Sequence, residues 1–287
     1  MKKFLQNITH FSIYLILINT LCFVTIKVLY YDDYSAFNPN FDTYLISDSH
    51  GHSLDTIPMQ YGIYNFSDPS DSYEDMLRKV KYTLAHSEVK KIILSVDDHT
   101  LTTYRENNNN LDRSTIYANS EDFKSNYDRF LQRYVRRYAP LLHGKSRDAL
   151  LMHIKRLWTA TAKDGSLWAD KSEAYRKAKA KERAAVHYEN SERSQIMDDF
   201  LQEIIAVCKA GKVKLQGVKF PLSAPYREAT FGKGFHADRV FEEHNLKVMD
   251  FSELFSEQPK YFRDQDHLSE LGGWQFMPLL KEASEAP

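Results

Sequence analysis

The 287-residue sequence predicts an α/β fold in which a mostly parallel sheet carries helices on both faces. Three observations lead to this prediction. Short apolar runs alternate with segments of helical periodicity, a long uncharged segment opens the chain, and a charge-dense segment without strands interrupts the alternation. The sequence therefore adds an N-terminal transmembrane helix and a helical insertion to the predicted α/β domain.

Five short apolar runs are the candidate strands. They are FDTYLIS (41–47), YGIYNFS (61–67), KKIILSV (90–96), VKLQGVKFPL (213–222) and LKVMDF (246–251). Residues 72–86 place apolar side chains at four-residue steps, which predicts a helix with Ser72 as its N-cap. A last helix is predicted over residues 268–284. This alternation of strand and helix is typical of a parallel sheet.

The N-terminal segment is apolar enough to cross a membrane. Residues 11–26 carry no charge, and the apolar character extends over Phe4–Tyr31, enough for about 30 Å of hydrocarbon. Lys2 and Lys3 precede the span, so the positive-inside rule predicts a single-pass protein with a cytoplasmic N-terminus and a periplasmic or extracellular body. A cleaved signal peptide is the alternative, but bulky residues stand where its cleavage site needs small ones.

The domain organisation follows from these segments. Residues 1–31 are the predicted signal-anchor, residues 32–40 a linker, and residues 41–287 the α/β domain, with the helical insertion at about 119–209. The insertion contains a basic run (171–193), which either binds a polyanion or the membrane surface or is a solvated helix face.

Composition excludes several classes of protein. With 38 Lys and Arg against 39 Asp and Glu, the net charge is -1, which argues against nucleic acid as a partner. Two cysteines cannot build a disulfide framework or a multi-cysteine zinc site.

Three polar stretches make up the candidate site. Ser-Asp-Ser-His-Gly (47–51) follows the first strand, and Ser-Val-Asp-Asp-His (95–99) follows the third. Both should lie at the edge where open α/β sheets bind ligands. The third stretch contains Asp264 and His267. A carboxylate three residues before a histidine can hold its Nδ1–H and leave Nε2 free as a base for a serine hydroxyl.

In these stretches the chain resembles the SGNH/GDSL hydrolase superfamily. Ser49 matches the nucleophile of the family's Gly-Asp-Ser block, and Asp264 and His267 match its Asp-x-x-His block. Asp97 stands at the asparagine of the Gly-x-Asn-Asp block, and Ser67 stands at the glycine of the second block. The resemblance covers about 41–100 and 213–284 and leaves the insertion outside it.

The resemblance implies a flavodoxin-like, three-layer α/β/α fold and acyl-ester chemistry that needs neither a metal nor another cofactor. The implied catalytic triad is Ser49, His267 and Asp264. The implied oxyanion or substrate-binding residues are Ser67, Asp97, Asp98, His99 and His50. An ionised Asp97 cannot donate a hydrogen bond, so the oxyanion hole needs another donor, such as His99.

The resemblance also implies partners. Membrane-anchored relatives resemble the O-acyltransferases and esterases of bacterial cell-surface polymers, and often work beside a multispanning membrane acyltransferase. A surface polysaccharide, such an acyltransferase and the membrane are therefore the expected partners. The expected activity is acyl transfer to the polysaccharide or removal of acyl groups from it.

Three alternatives remain open from the sequence. In the first, Asp97 and His99 serve as the carboxylate and imidazole of the triad, as the Asp-x-His motif does in alginate acetylation proteins. In those proteins the serine comes after the motif in the chain, whereas Ser49 comes before it. Asp264 and His267 are therefore preferred. A metal site of His50, His52 and His99 is the second alternative. In the third, the site is catalytically inactive and the protein serves assembly or binding in a polysaccharide machinery.

Overall fold

The computed structural model describes residues 1–32, 34, 36–139, 142–158, 167–189 and 191–286. The predicted linker residues 33 and 35 and the insertion residues 140–141, 159–166 and 190 lie outside them. The chain forms two compact units: one contains residues 1–36 and 112–164, and the other, called here the sheet unit, contains residues 37–111 and 165–287.

A parallel sheet is the centre of the sheet unit. Within the described residues its strands are β1 (Thr43–Ile46), β2 (Tyr64–Asn65), β3 (Lys91–Ser95), β4 (Lys214–Lys219) and β5 (Val248–Asp250), in the spatial order β2-β1-β3-β4-β5. Each of the five predicted runs contains one of these strands. This strand order is that of flavodoxin-like folds, which confirms the predicted fold class.

The strand order fixes where the site forms. Leu45 of β1 pairs with Asn65 of β2 on one side and with Ile93 of β3 on the other. The chain thus leaves β1 toward one edge of the sheet and later returns on its other side as β3. At such a switch point the loops after the two strands diverge and leave a crevice at their carboxyl ends.

The described residues of the two units also form α-helices. Their bounds are α1 (Lys2–Ile26), α2 (Ser49–His52), α3 (Tyr73–His86), α4 (Tyr104–Asn107), α5 (Asn126–Phe130), α6 (Arg136–Tyr138), α7 (Gly144–Trp158), α8 (Glu173–Tyr188), α9 (Gln195–Ala210), α10 (Ala224–Thr230), α11 (Ala237–Glu243) and α12 (Glu270–Glu285). Ser72 caps α3 in a reciprocal capping box with Asp75, as its sequence predicts. The predicted terminal helix is α12.

One apolar cluster joins the sheet to α12. Leu45, Ile93 and Val218 of three neighbouring strands pack with Phe276 and Leu280. Because side chains alternate along a strand, the residues between them face the other side of the sheet, where α3 and α9 pack together. The middle strands are therefore buried on both faces, as their nearly continuous apolar sequences require.

The other unit contains the apolar N-terminal helix. α1 continues through a π-helical turn (Lys27–Tyr31), and Lys2–Tyr31 is long and apolar enough to span a membrane. The predicted insertion is divided between the units: α5, α6 and α7 lie with α1, whereas α8 and α9 belong to the sheet unit.

Candidate active site

The first polar stretch forms a tight turn between β1 and α2. Asp48 is the N-cap of α2, and its Oδ1 accepts a hydrogen bond from the backbone N–H of His50 at 3.0 Å. A Cβ on Gly51 would lie 2.6 Å from Ser67 Oγ and 2.7 Å from Ser47 Cβ, so the turn tolerates no side chain there. Ser49 is the first residue of α2 and is half-buried.

The Ser49 hydroxyl has no hydrogen-bond partner among the described residues. The same holds for the backbone N–H groups of Ser49 and Ser67. These are the groups that acyl-transfer chemistry requires to be available: a nucleophile, and donors for a developing oxyanion.

His267 is held by a carboxylate as the sequence predicts. Asp264 Oδ1 lies 2.8 Å from His267 Nδ1 and also accepts the backbone N–H of His267 at 3.0 Å. The Nε2 atom of His267 is buried and has no hydrogen-bond partner in the described part of the chain. Imidazole Nδ1–H is thus oriented by a carboxylate while Nε2 remains available to accept a proton.

A second carboxylate also faces this imidazole. Asp266 Oδ1 lies 3.2 Å from His267 Nδ1, and Asp266 is fully buried, whereas Asp264 is about one-third exposed. Burial alone would lower the pKa of His267, but Asp266 and Asp264 together raise that pKa above its ordinary value. The two carboxylates thus favour the protonated form of the His267 imidazole.

His50 lies beside His267 and is itself flanked by carboxylates. Its ring centroid is 5.2 Å from that of His267, its Nδ1 is 2.8 Å from Asp97 Oδ2, and its Nε2 is 3.8 Å from Asp266 Oδ2. Burial opposes its charge, yet Asp97 and Asp48 raise the pKa of His50 well above 6.5. The facing carboxylates thus favour the charged form of His50, one residue after Ser49.

Asp97 is a hydrogen-bond acceptor. It accepts from Ser95 Oγ at 2.8 Å, from the backbone N–H of Phe220 at 2.9 Å and from His50 Nδ1. Burial raises the pKa of Asp97, but the facing His50 outweighs it and the net pKa is lowered. Asp97 is therefore ionised and supports His50.

His99 is occupied by a different contact. Its Nε2 lies 2.7 Å from Asp48 Oδ2 and 2.7 Å from Arg105 Nη2, and Arg105 also pairs with Asp48. Its ring stacks on that of His187, with centroids 4.6 Å apart. Burial outweighs the attraction of Asp48 and lowers the pKa of His99. The predicted use of His99 as an oxyanion donor would require its Nε2 to leave this cluster.

Asp98 lies outside the buried network and faces a cavity. Its Oδ1 accepts a hydrogen bond from Lys219 Nζ at 3.0 Å. The cavity encloses about 210 Å³. Residues that line it include His50, Asp98, His99, Tyr188, Lys219 and Arg227. Ser49 and His267 do not line it, so the imidazole of His50 stands between this cavity and His267.

Four residues of the site are given no role by the sequence analysis. They are Asp266, Arg105, Arg183 and His187. Asp266 directly precedes His267, so the Asp-Gln-Asp-His sequence contained a signal for it. Arg183 donates to Asp266 Oδ2 at 2.9 Å from a helix of the predicted insertion, where no motif marks it.

Side chains that could together hold a metal ion already pair with cations. In the described residues, possible ligand atoms lie within 4.8 Å of one another in His50–Asp266–His267, in Asp48–His50–Asp97 and in Asp98–His236–Asp238. A carboxylate of each group already pairs with a basic side chain: Asp266 with Arg183, Asp48 with Arg105, and Asp98 with Lys219. A metal ion would therefore compete with a positive charge at each place. His52 belongs to none of the three groups, and its Nδ1 lies 3.2 Å from the Ser67 carbonyl oxygen.

Comparisons with known proteins give distant structural likeness. A GDSL-like lipase from Bacteroides thetaiotaomicron VPI-5482 is similar at 9% identity over 92% of this chain and 98% of its own, with a TM-score of 0.44. A protein assigned as an acylhydrolase from Bacteroides fragilis NCTC 9343 is similar at 8% identity over 88% and 93%, with a TM-score of 0.41. No protein-family model and no curated protein matches the sequence.

Proposed function

We propose that the protein performs serine-dependent acyl-ester chemistry outside the cytoplasm, moving acyl groups to or from a cell-surface polysaccharide. The observation that carries this proposal is the pair of Asp264 and His267, with the buried Nε2 of His267 left without a partner. His50 lies against the ring of His267, and Ser49 directly precedes His50 on the turn after β1.

The proposed reaction has two matched halves. His267 Nε2 removes the proton of the Ser49 hydroxyl as Oγ attacks the acyl carbonyl carbon. The tetrahedral intermediate collapses, the C–O bond to the leaving alcohol breaks, and that alcohol takes the proton from Nε2. Water or a sugar hydroxyl then gives its proton to Nε2 and attacks the acyl-serine. The bond from the acyl carbon to Ser49 Oγ breaks, and Oγ takes the proton back from Nε2. Contacts between nucleophile and base commonly tighten only when substrate is bound.

The oxyanion is stabilised by groups that replace the family's asparagine. The backbone N–H groups of Ser49 and Ser67 are available, and the raised pKa of His50, the residue after Ser49, favours a positive charge there. A preorganised charge in a water-poor site stabilises a developing oxyanion far better than it would in water. Asp97 acts through His50, whose Nδ1–H it accepts.

The cavity beside His50 fits a carbohydrate ligand. Tyr188 contributes an aromatic ring to its lining, and Lys219, Arg227 and Asp98 contribute polar groups. A few polar groups around a concave site are what fixes the orientation of a ligand. The span at residues 2–31 would anchor the protein in the membrane that also holds a multispanning acyltransferase.

The test is ester turnover by the full chain in detergent micelles. We expect hydrolysis of p-nitrophenyl acetate by the wild type and its loss in Ser49→Ala. The matched control is Ser53→Ala, which removes a hydroxyl from the same turn. Among the described residues, the Ser53 hydroxyl donates to the carbonyl oxygen of His50. Incubation of an acylated donor with surface oligosaccharides, followed by mass spectrometry, then separates transfer from hydrolysis.

Equal turnover in wild type and Ser49→Ala would contradict the proposal. Absence of turnover, with oligosaccharide binding retained by both proteins, would instead support the second candidate, an inactive protein that binds the polysaccharide. That candidate draws on one observation: no hydrogen bond joins Ser49 to His267 in the part of the chain that the structure describes.

A further inference from the structure

The helices that pack beside the apolar N-terminal helix carry an uncovered aromatic stripe. We call α5, α6 and α7 (126–158), with the π-helical turn Leu131–Val135, the juxtamembrane helices. Tyr127, Phe130, Tyr134 and Tyr138 follow one another at steps of three, four and four residues, which places them on one helical face. All four are more than half exposed, from 52% to 71%. A soluble surface rarely leaves such a row of large rings in water.

The same elements contact the outer half of α1. Asn19 Nδ2 donates to the carbonyl oxygen of Tyr138 at 2.9 Å, and the rings of Phe23 and Tyr138 lie 5.2 Å apart. Farther along, the hydroxyls of Tyr31 and Ser146 are 3.0 Å apart. The contacts thus extend over residues 19–31 of the apolar helix.

These contacts place part of the juxtamembrane helices at membrane depth. Asn19 precedes Lys27 by eight residues, which at 1.5 Å per residue is about 12 Å along the helix. If Lys27 marks the outer boundary of the span, Tyr138 lies well within the outer half of a hydrocarbon core about 30 Å thick. The hydrogen bond from Asn19 then satisfies a carbonyl group that has no water to bind.

Apolar exposure continues on α7. Leu142, before α7, and Leu151, Met152 and Ile154 within it are exposed large hydrophobic residues of this unit. Residues 126–158 also contain eight Lys or Arg against two Asp, in a chain whose net charge is -1. Exposed aromatic rings together with an excess of basic side chains are the composition of helices that bind the membrane interface.

We infer that the juxtamembrane helices are a second membrane-binding element, which lies in the leaflet through which α1 leaves the bilayer. The aromatic stripe contacts acyl chains of this leaflet, and the excess of basic side chains favours its anionic headgroups. This inference rests on the proposed membrane anchor, because the depth of Tyr138 is measured along α1. The occupant is the lipid bilayer, since the stripe is continuous with the apolar surface of α1.

The test measures lipid contact residue by residue in the full chain. Cys22 and Cys208 are replaced by Ser, the protein is placed in nanodiscs of phosphatidylcholine and phosphatidylglycerol, and a nitroxide is attached to Tyr134→Cys or Leu151→Cys. Collision with oxygen, which concentrates in lipid, is compared with collision with a water-soluble nickel chelate. Leu15→Cys is the control for the anchor, and Leu271→Cys, on α12 of the sheet unit and 49% exposed, is the control for water.

We expect the ratio of oxygen collisions to nickel-chelate collisions to be at least threefold higher for the labels at 134 and 151 than for the label at 271. If label 15 is in lipid but labels 134 and 151 behave like label 271, the inference is wrong and the anchor stands. If label 15 is also exposed to the nickel chelate, the anchor and the inference fall together. Thermal unfolding of each labelled variant within a few degrees of the unlabelled protein shows that the fold is kept.

Discussion

Asp264→Asn is the substitution that most sharply probes the proposed base. Asp264 Oδ1 lies 2.8 Å from His267 Nδ1, which sets the charge centres roughly 4 Å apart. At an effective dielectric constant of 20, such a pair interacts by about 4 kcal/mol. Asp264 is about one-third exposed, so solvent screening reduces this to about 2 kcal/mol of support for the imidazolium formed during reaction. We therefore expect kcat/KM to fall roughly 30-fold.

This loss of kcat/KM should be smaller than in a triad with a single carboxylate. There, replacing the acid by an amide lowers kcat roughly 10⁴-fold. Asp266 remains 3.2 Å from Nδ1 and keeps the tautomer in place. Because Asp264 also raises the pKa of His267, the variant should lower that pKa and move the acid limb of the pH–kcat/KM profile to lower pH.

Ester turnover from pH 4 to 9 checks both parts of this prediction. Asp264→Glu is the control, because it retains the charge; it should keep the position of the acid limb even if it loses rate. An acid limb that stays in place in Asp264→Asn, or a loss as large as that of Ser49→Ala, would refute the assignment of roles to the two carboxylates.

Three further predictions concern the residues around the nucleophile. Asp97→Asn introduces the asparagine that the SGNH/GDSL superfamily has at the position Asp97 resembles, yet it should lower turnover about tenfold, because His50 loses its ionic partner. A higher rate would contradict this prediction. Gly51→Ala should lower the unfolding free energy by about 1–3 kcal/mol in denaturant titration, because the added Cβ has no space. Asp48→Asn should lower the unfolding free energy by about 3–5 kcal/mol in the same titration, since it leaves the buried Arg105 without a carboxylate.

The pH dependence of stability provides a matching check on Asp48. Burial raises its pKa, but Arg105 and His99 hold the pKa of Asp48 well below 3.8. A lowered folded pKa contributes stability that is present above the unfolded value and is lost as pH falls through the folded value. The wild type should therefore lose unfolding free energy below about pH 4, and Asp48→Asn should show a shallower loss. Identical acid unfolding curves would contradict the proposed pairing.

Much of the fold could be predicted from local sequence patterns. Each strand of the sheet lies inside a predicted run, and the capping box of α3 follows from Ser72 and Asp75. These features depend on residues close together in the chain, so periodicity and capping rules apply to them. The pairing of Asp264 with His267 belongs to the same class, since only three residues separate them.

The rest of the site depends on long-range contacts. Arg105 reaches Asp48 from 57 positions away, and Arg183 reaches Asp266 from 83. No local pattern marks either arginine, because an isolated charge on a helix resembles an ordinary solvated residue. The division of the predicted insertion between two units has the same origin: α7 is placed by its packing against α1, whereas α8 packs against α10.

Labelling by a fluorophosphonate tests the central claim most directly. The full chain is treated in micelles, digested, and the modified residue is located by mass spectrometry, with Ser49→Ala, Ser53→Ala and His267→Gln treated in parallel. The account predicts one label on Ser49, unchanged in Ser53→Ala and strongly slowed in His267→Gln. A label on another residue, or labelling of Ser49 that is indifferent to His267, would contradict the account.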